Sequence, residues 1–513
     1  MSTNASTAPI ERVVIAGGGT AGWMTAARLA TALERQPVEI VVVESSRRPS
    51  VGVGEATVPA ILDYLRDIDI DPFAVLSLTE GTFKLGIEFV DWLEDGHRFF
   101  HPFGLYGAPT RGVSFHQFWL KMRAAGRADR LERYSLCSAL AEQNRFRLPL
   151  RKPEGDLTVF SWALHFDASL FADVLKKVCR RRGVRHIDAE IKRGELCAAG
   201  DNLVALHLDN DGVIKGDLFL DCTGFSSLLL GGAMRVPFTD WSQFLPVDRA
   251  ITAPTKRTRE LAPYTRSTAR EAGWQWRIPL QHRVGNGYVY STRFTDGQTA
   301  ERLFRSTLEG SLLAEPRTIR FQTGHRESFW VGNVIGIGLA AGFLEPLEST
   351  SITLIQTAIE RLIDRFPTKT ISPALRDDFN RTTTLEYERI RDFLILHYWG
   401  NRRIGEEFWD KMREAPLPER LDHKVRLFRD SGRIVRYEWD TFLDPSWISL
   451  YAGLNLLPDR HDPLADFFEE DELEAAFQKM QAVVRENLAS SRDHADFVAQ
   501  HCASRRPQSV VNH

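Results

Sequence analysis

The amino-acid sequence predicts an α/β fold that begins with a Rossmann-type dinucleotide-binding unit. Three features predict it: a short apolar strand at residues 12–16, a helix over 20–33 that follows a glycine-rich turn, and a β-branched run at 38–43. Nearly continuous hydrophobicity is typical of parallel strands that are buried on both faces. A strand, a helix and a second strand in this order form a βαβ unit.

The turn between the first strand and the helix has the pattern GxGxxG. It spans Gly17 to Gly22 (GGGTAG), and Glu44 stands at the end of the second strand. Glycines let the backbone approach a pyrophosphate at a helix N-terminus, where free N–H groups and the helix dipole favour an anion. An acidic residue after the second strand can accept a hydrogen bond from a ribose hydroxyl. The pattern alone is common in tight turns, but in this context it predicts a dinucleotide site.

Length and composition exclude several classes of protein. The 513 residues include 65 Lys and Arg against 68 Asp and Glu, which gives a net charge of −3. Nucleic-acid binding needs a dense basic surface, and we therefore expect no nucleic-acid partner. At about 150 residues per domain, this length corresponds to two to four domains or to one large sheet-based domain with additions.

The cysteines and the apolar stretches indicate in which cellular compartment the protein lies. The five cysteines are scattered without a CxxC pair, so we expect neither a disulfide framework nor a metal site. The N-terminus lacks a basic segment followed by an apolar one, which predicts no signal peptide. The longest apolar stretches, such as 335–344, are too short to span a bilayer. We expect a cytoplasmic protein without a membrane partner.

Later segments predict further strands and a second anion site. Residues 216–225 and 332–342 are typical of buried strands that run into turns, and 351–366 have the apolar spacing of an amphipathic helix. Polar residues at 349–351 can cap this helix, so its start is a candidate anion site. The sequence contains no second unit of strand, GxGxxG and helix, and we expect no separate NAD(P)H site.

Two local motifs need more than a dinucleotide fold to explain them. Residues 273–279 read GWQWRIP, which is also compatible with a strand that has one aromatic face. Lys84 lies in the apolar run 81–89, GTFKLGIEF. A buried lysine is costly unless it is paired or functional, whereas a lysine on a half-exposed strand would simply be solvated.

Together with GGGTAGW at 17–23, these motifs resemble the flavin-dependent halogenases of the tryptophan halogenase family. The signature WxWxIP, which separates that family from related flavin monooxygenases, is complete at 274–279. The family's catalytic lysine matches Lys84, and its catalytic glutamate matches Glu348 within EPLEST at 345–350.

The resemblance extends from about residue 10 to about residue 400, and more loosely beyond. It implies a flavin-monooxygenase-like α/β fold in which a Rossmann-type FAD-binding domain is interwoven with a mostly helical part that covers the substrate. We expect the FAD-binding core and its substrate-facing sheet at 1–400, and the helical covering part at 401–513.

The resemblance also implies the chemistry. A separate flavin reductase reduces FAD, and the FADH2 reaches the enzyme through transient contact or by diffusion. The reduced FAD then reacts with molecular oxygen and converts chloride or bromide to hypohalous acid. Lys84 hydrogen-bonds this acid or forms a haloamine beside an electron-rich aromatic. Glu348 orients the oxidant and accepts the proton that the ring loses. WxWxIP keeps the substrate away from the flavin and so suppresses hydroxylation.

Cofactor and halide residues are carried over from the family by position. The halide is expected at the backbone amides of Thr350 and Ser351, where the family often has glycine at the second position. Residues 51–59 match the strap that contacts the flavin. The expected FAD contacts are Gly17, Gly19, Thr20, Ala21, Gly22, Glu44, Ala56, Leu339 and Ile352.

The substrate residues follow from the same resemblance. His101 and Phe103 match the family's His-x-Phe piece, although His101 is also explicable as a structural histidine in a loop. Trp447 matches a late tryptophan, and Trp274 and Trp276 are expected to face the substrate. Tryptophan-specific members have a Tyr-Tyr pair that clamps the amino acid, but residues 428–450 contain a single Tyr. We therefore expect an indole-type substrate rather than free tryptophan.

Two other functions are compatible with a flavin fold. One is an FAD-dependent monooxygenase that hydroxylates an aromatic without halide, and the other is a non-catalytic flavin-binding protein. The intact Lys84, Glu348 and WxWxIP favour the halogenase. The sequence leaves open whether the chain forms a homodimer.

Overall fold

Strands and helices alternate through most of the chain, which then ends in a run of helices. The computed structural model describes residues 8–47, 54–152, 155–258 and 261–504. The strands in these ranges are β1 Arg12–Ala16, β2 Glu39–Glu44, β3 Gly54–Ala56, β4 Thr82–Lys84, β5 Gly86–Val90, β6 Arg98–Pro102, β7 Arg145–Phe146, β8 Ala163–Asp167, β9 Arg185–Asp188, β10 Ile191–Leu196, β11 Leu203–Leu208, β12 Val213–Lys215, β13 Leu218–Asp221, β14 Phe238–Asp240, β15 Arg249–Thr255, β16 Thr265–Arg270, β17 Gly273–Pro279, β18 Val284–Tyr290, β19 Arg317–Arg320, β20 Gly324–Arg326, β21 Trp330–Val331, β22 Val334–Gly336, β23 Gly342–Phe343 and β24 Arg492–Asp493. The α-helices in the same ranges are α1 Thr20–Ala32, α2 Ala60–Asp67, α3 Pro72–Leu78, α4 Phe115–Ala124, α5 Leu136–Glu142, α6 Ala168–Arg181, α7 Gly297–Ser306, α8 Thr350–Asp364, α9 Pro373–Trp399, α10 Glu407–Glu414, α11 Glu419–Ser431, α12 Asp444–Gly453, α13 Glu470–Ala489 and α14 His494–His501.

A six-stranded sheet carries the predicted βαβ unit, in the order β21-β22-β13-β1-β2-β9. Neighbouring strands from β22 to β9 run parallel, and β21 pairs antiparallel at one edge. Val13 and Ile15 of β1 pack in the same core as α1, whereas Val14 and Ala16 pack in a second core with β11. The sequence prediction of strand, helix and strand is confirmed to within one residue at each boundary.

The WxWxIP motif forms β17 in the middle of a seven-stranded sheet, β19-β15-β18-β17-β16-β5-β6. β17 is antiparallel to both of its neighbours. All seven of its residues are buried, including Gln275 and Arg277. The motif is therefore enclosed on both faces and is not a strand with one aromatic and one solvated face.

The apolar run 81–89 forms two short strands instead of one. β4 belongs to a three-stranded sheet, β3-β8-β4, whereas β5 belongs to the seven-stranded sheet. The single residue between them, Leu85, donates its N–H to the carbonyl oxygen of Pro263 at 2.7 Å. Lys84 is the last residue of β4, so it lies where the chain passes from one sheet to the other.

Helices dominate after residue 372. The 27-residue helix α9 packs against α10 and α12, and α12 also packs against β6. The short strand β24 pairs with β7 and so joins the last helices to the earlier part of the chain. Within the described ranges, every helix is too short or too polar to cross a membrane. The division of the chain at residue 400 stays a prediction.

Candidate active site

The glycine-rich turn opens onto a cavity of about 850 Å³. Gly17 has a φ of 102°, and a Cβ there would lie 2.3 Å from the carbonyl oxygen of Cys222. A Cβ on Gly22 would lie 1.9 Å from the carbonyl oxygen of Gly17. A Cβ on Gly19 would instead meet nothing within 4 Å. Gly17 and Gly22 therefore allow the tight turn, and Gly19 leaves its backbone open to the cavity.

The start of α1 is ready to receive an anion. Its N-cap residue, Gly19, provides no side-chain cap, and the first turn carries no acidic residue. The first N–H groups of a helix lack partners within the helix, and the helix dipole is positive at this end. The turn and the helix start therefore have the shape and charge that a pyrophosphate needs.

Glu44 stands at the end of β2 on the wall of the cavity. Its Oε1 lies 2.9 Å from the Nζ of Lys176 and 3.1 Å from the Nε2 of His186, and the indole N–H of Trp23 donates to its Oε2 at 3.4 Å. The cavity is also lined by other predicted FAD contacts, namely Gly17, Gly19, Thr20, Ala21, Ala56, Leu339 and Ile352. Residues 51–53 of the predicted strap lie outside the described residues.

Lys84 is completely buried. Its ammonium nitrogen donates to the carbonyl oxygen of Thr57 and to the hydroxyl of Ser349, both at 2.9 Å, and lies 5.1 Å from the centre of the Phe103 ring. Burial lowers the pKa of Lys84 to about 7, although the charge of Glu348 works in the opposite direction. Because Ser349 lines the cavity, the Lys84 amine is separated from the cavity by a single hydroxyl group.

Glu348 is held as a carboxylate by two histidines. The Nδ1 of His101 lies 3.0 Å from its Oε2, and the Nε2 of His397 lies 2.8 Å from its Oε1. Burial alone raises the pKa of Glu348, but the charge and hydrogen bonds of the two histidines outweigh it and bring the pKa to about 2. The Nδ1 of His397 also lies 2.9 Å from the carbonyl oxygen of Phe393. His397 therefore bridges the Glu348 side chain and the backbone of its own helix.

Further aromatic residues lie near His101, and the sandwich of His101, Phe103 and Trp447 stays a prediction. Trp447 is buried and makes ring contacts with Phe393 at 5.0 Å and with Tyr451 at 5.9 Å. Phe442 stacks on Phe393 at 3.9 Å, and both rings lie about 6 Å from His101. Trp447 is thus linked to His101 through Phe393, and Phe393 and Phe442 join the candidate substrate wall.

The start of α8 forms the second predicted anion site. Ser349 precedes the helix in the left-handed conformation, with a φ of 59°. The helix start has no side-chain cap and no acidic residue in its first turn. The hydroxyl of Thr350 is buried and has no hydrogen-bond partner among the described residues, and Ser351 lines the cavity. This end of α8 is therefore an uncapped, positively polarised pocket wall.

The burial of Lys84 predicts a pH-dependent difference in stability between the unaltered chain and Lys84→Met. An unfolded chain keeps this lysine protonated up to about pH 10, whereas the folded chain releases the proton near pH 7. The unfolded state binds more protons between these values, so the folded state gains stability as the pH rises. We expect the unaltered chain to gain about 4 kcal/mol relative to Lys84→Met between pH 7 and pH 10.

Urea unfolding of both chains at the two pH values measures this gain. The comparison cancels the contribution of every titrating group that does not interact with Lys84, because both chains share those groups. A stability difference that does not change with pH would show that Lys84 titrates as an exposed lysine does.

Several site residues escaped sequence reasoning. Ser349 was predicted only as a helix cap, yet it is the hydroxyl partner of Lys84. His397 lies inside the long helix α9, and no local pattern separates it from a packing histidine. Glu345 was visible only as part of EPLEST, yet it accepts hydrogen bonds from Trp274 and Tyr398. These contacts join segments far apart in the chain.

The chain is similar to known proteins over most of its length. A family model described as tryptophan halogenase matches residues 12–470. Tryptophan 6-halogenase SttH of Streptomyces toxytricini is 36% identical over 455 residues, which cover 83% of this chain and 86% of SttH.

Two solved structures are more similar still. BrvH, a flavin-dependent halogenase from Brevundimonas sp. BAL3, is 45% identical with a TM-score of 0.93, and the match covers 96% of this chain and 99% of BrvH. Xcc4156, a flavin-dependent halogenase from Xanthomonas campestris, is 40% identical with a TM-score of 0.93, and the match covers 97% of this chain and 100% of Xcc4156.

These similarities confirm the predicted FAD-binding α/β fold and do not favour the hydroxylase alternative. They span nearly the whole chain, including the helices that follow residue 372. The chain belongs to the tryptophan halogenase family and is a flavin-dependent halogenase that acts on an aromatic substrate.

Proposed function

We propose that this enzyme halogenates an indole-type aromatic that lacks the ammonium and carboxylate groups of an amino acid. The buried amine of Lys84 carries the halogenation part of this proposal, because its partner Ser349 lines the same cavity as the glycine-rich turn. An oxidant formed in that cavity can reach a fixed amine without crossing bulk water. The roles of the individual residues are argued below.

The residues around the cavity fit FAD. The open backbone at Gly19 and the free N–H groups of α1 would hold the pyrophosphate, and Glu44 would accept a hydrogen bond from a ribose hydroxyl. Ala56 and Ile352 would provide apolar contacts. Reduced FAD, which this family takes from a separate reductase, supplies with oxygen the oxidising power that turns a halide into hypohalous acid.

The start of α8 supports a halide site. Thr350 and Ser351 would donate backbone N–H groups, as helix starts do for anions. The buried and unpartnered hydroxyl of Thr350 is a further donor at this point. Ser351 brings a side chain where the family often has glycine, and its size would influence the preference between chloride and bromide.

Lys84 and Glu348 divide the chemistry between an amine and a carboxylate. Lys84 would hold hypohalous acid and polarise its bond between oxygen and halogen, so that the ring carbon takes the halogen. The hydroxide that leaves would take a proton from the Lys84 ammonium that hydrogen-bonds it and so become water. The proton displaced from the ring would pass to the Glu348 carboxylate, which His101 and His397 keep ionised and oriented.

The charges near Trp447 favour a substrate without a zwitterionic group. Lys424 lies 4.3 Å from the centre of the Trp447 ring, but its ammonium already pairs with Asp440 at 2.7 Å and the carbonyl oxygen of Val435 at 2.8 Å. An incoming amino acid would have to break this pair, whereas an indole ring needs only the aromatic wall.

A competition experiment tests the substrate. Indole and L-tryptophan are supplied together with FAD, a flavin reductase, NADH, oxygen and bromide, and the halogenated products are quantified by mass spectrometry. Some relatives carry tryptophan halogenase in their names, which makes tryptophan the appropriate competitor. We expect at least about tenfold more halogenated indole. A preference for tryptophan would overturn the proposed substrate class.

Gly19→Ala is expected to weaken FAD binding without affecting the fold. Its φ is −74°, and the added methyl group meets no protein atom within 4 Å, so it can only occupy cavity space. We expect a Kd for FAD that is about 10- to 100-fold higher, measured by titration of flavin fluorescence. Gly297→Ala at the start of α7 is the matched control. An unchanged Kd would show that FAD does not approach Gly19.

Three broader assignments complete the proposal. We propose that reduced flavin arrives by diffusion or through transient contact with the reductase, and that the enzyme works in the cytoplasm. We also propose that residues 1–400 form the FAD-binding core and that the following residues cover the substrate. Size-exclusion chromatography with light scattering would determine whether two copies associate.

A further inference from the structure

A buried carboxyl group holds the first tryptophan of the WxWxIP motif. The indole N–H of Trp274 donates to the Oε2 of Glu345 at 2.6 Å, and the hydroxyl of Tyr398 donates to the same oxygen at 2.5 Å. Glu345 and Tyr398 are completely buried, and Trp274 is 1% exposed. A fully desolvated carboxyl with two short hydrogen bonds fixes the orientation of the indole far more strongly than apolar packing does.

Trp276, the second tryptophan of the motif, is held differently. Its indole N–H is buried and has no hydrogen-bond partner among the described residues. Its ring packs over Gly287, where a Cβ would lie 2.0 Å from the ring. Only the first tryptophan of the motif is therefore anchored by a polar contact, and Glu345 is the acceptor.

Glu345 also belongs to the segment that serves Lys84. It directly precedes the short 3₁₀ helix Pro346–Glu348, which leads into Ser349 and the start of α8. Trp274, Pro346 and Ser349 all line the cavity. Only three residues thus separate Glu345, which anchors the tryptophan wall, from Ser349, whose hydroxyl accepts a hydrogen bond from Lys84.

We propose that Glu345 is a positioning residue for halogenation: it fixes the Trp274 wall relative to Ser349 and so keeps the oxidant on the route from the cavity to Lys84. The inference rests on the proposed function of Lys84. Loss of the anchor lets the indole rotate and opens the wall, so more hypohalous acid escapes into solution. Glu345 itself contacts neither substrate nor cofactor in this assignment.

The cost of burying Glu345 indicates that this residue has a role other than packing. Burial raises the pKa of its carboxyl to about 7, against the hydrogen bonds from Tyr398 and Trp274. Its second oxygen, Oε1, has no hydrogen-bond partner among the described residues. A leucine of similar size would avoid both costs, so stability alone does not explain a glutamate at this position.

The test measures how the oxidant is partitioned. Halogenated indole and hypohalous acid captured by a diketone trap in the buffer are quantified in the same reaction for the unaltered enzyme, Glu345→Leu, Glu345→Gln and Tyr398→Phe. We expect the ratio of product to trapped oxidant to fall at least fivefold in Glu345→Leu. Glutamine keeps an acceptor oxygen for both donors, so Glu345→Gln should stay within twofold of the unaltered enzyme, with Tyr398→Phe between the two.

Two further variants separate positioning from general destabilisation. Trp274→Phe removes the same hydrogen bond, so the double variant with Glu345→Leu should lower the ratio no further than either single change does. Trp330→Phe, which loses a buried indole hydrogen bond to Gly332 in the six-stranded sheet, should leave the ratio unchanged. Urea unfolding of the same single and double variants gives a readout that is independent of turnover and should show the same non-additivity.

The outcomes distinguish this inference from the proposed function. A lower overall rate in Glu345→Leu with an unchanged ratio, or additive effects of Glu345→Leu and Trp274→Phe, would overturn the positioning role alone. Absence of halogenated product from the unaltered enzyme would overturn the proposed function and this inference together.

Discussion

Lys84→Met is expected to reduce the rate of halogenated product formation by at least about 1,000-fold. Methionine fills a similar volume but removes the side-chain nitrogen that bonds both Thr57 and Ser349. The oxidant would still form in the cavity, since Lys84 is not among the residues that line it. The variant should therefore release hypohalous acid into solution instead of transferring it.

Initial rates by mass spectrometry, with the diketone trap present, measure both quantities. Lys192→Ala is the matched control, because Lys192 is exposed on β10. A Lys84→Met enzyme that halogenates within tenfold of the unaltered rate would contradict the assigned role of the amine.

Glu348→Gln is expected to lower the same rate by about 100- to 1,000-fold. Glutamine keeps the shape of the side chain but cannot accept a proton, and it removes the negative charge that His101 and His397 surround. It also removes the charge that raises the pKa of Lys84, so the amine should lose its proton at a still lower pH.

The pKa of Glu348, which is about 2, determines how its ionisation affects the rate at different pH values. Glu348 stays ionised at every pH above about 4, so its own titration does not limit activity between pH 5 and pH 9. A rate profile of the unaltered enzyme over this range, with Glu472→Gln on the exposed face of α13 as the control variant, should show the titration of Lys84 near pH 7 and no titration of Glu348. If Glu348→Gln keeps full activity, the ring proton leaves by another route.

The sequence predicted the parts of the fold that local patterns determine. The β1, α1 and β2 boundaries follow from nearly continuous hydrophobicity on either side of GxGxxG, and α8 follows from apolar spacing. The passage of the chain from one sheet to another at Leu85 was missed, because 81–89 has the same apolar character throughout. Sheet membership depends on strand partners that are distant in the sequence.

The candidate site, like the fold, could be predicted from the sequence only in part. The cradle at Gly17 to Gly22 can be derived from the physics of helix starts and glycine. Lys84 was a candidate from its apolar surroundings alone, whereas Glu348, 264 positions away, required the family resemblance. His397 and Phe393 came from neither source, because their roles arise only when α9 packs over β5 and β6.

One reconstitution tests the central claim most directly. The unaltered enzyme is combined with FAD, a flavin reductase, NADH, oxygen and a panel of indoles. Separate reactions contain chloride, bromide or no halide, and every product is identified by mass spectrometry. The account predicts products in which one hydrogen is replaced by the supplied halogen, and no product when halide is omitted. An oxygenated product that forms equally well without halide would contradict it.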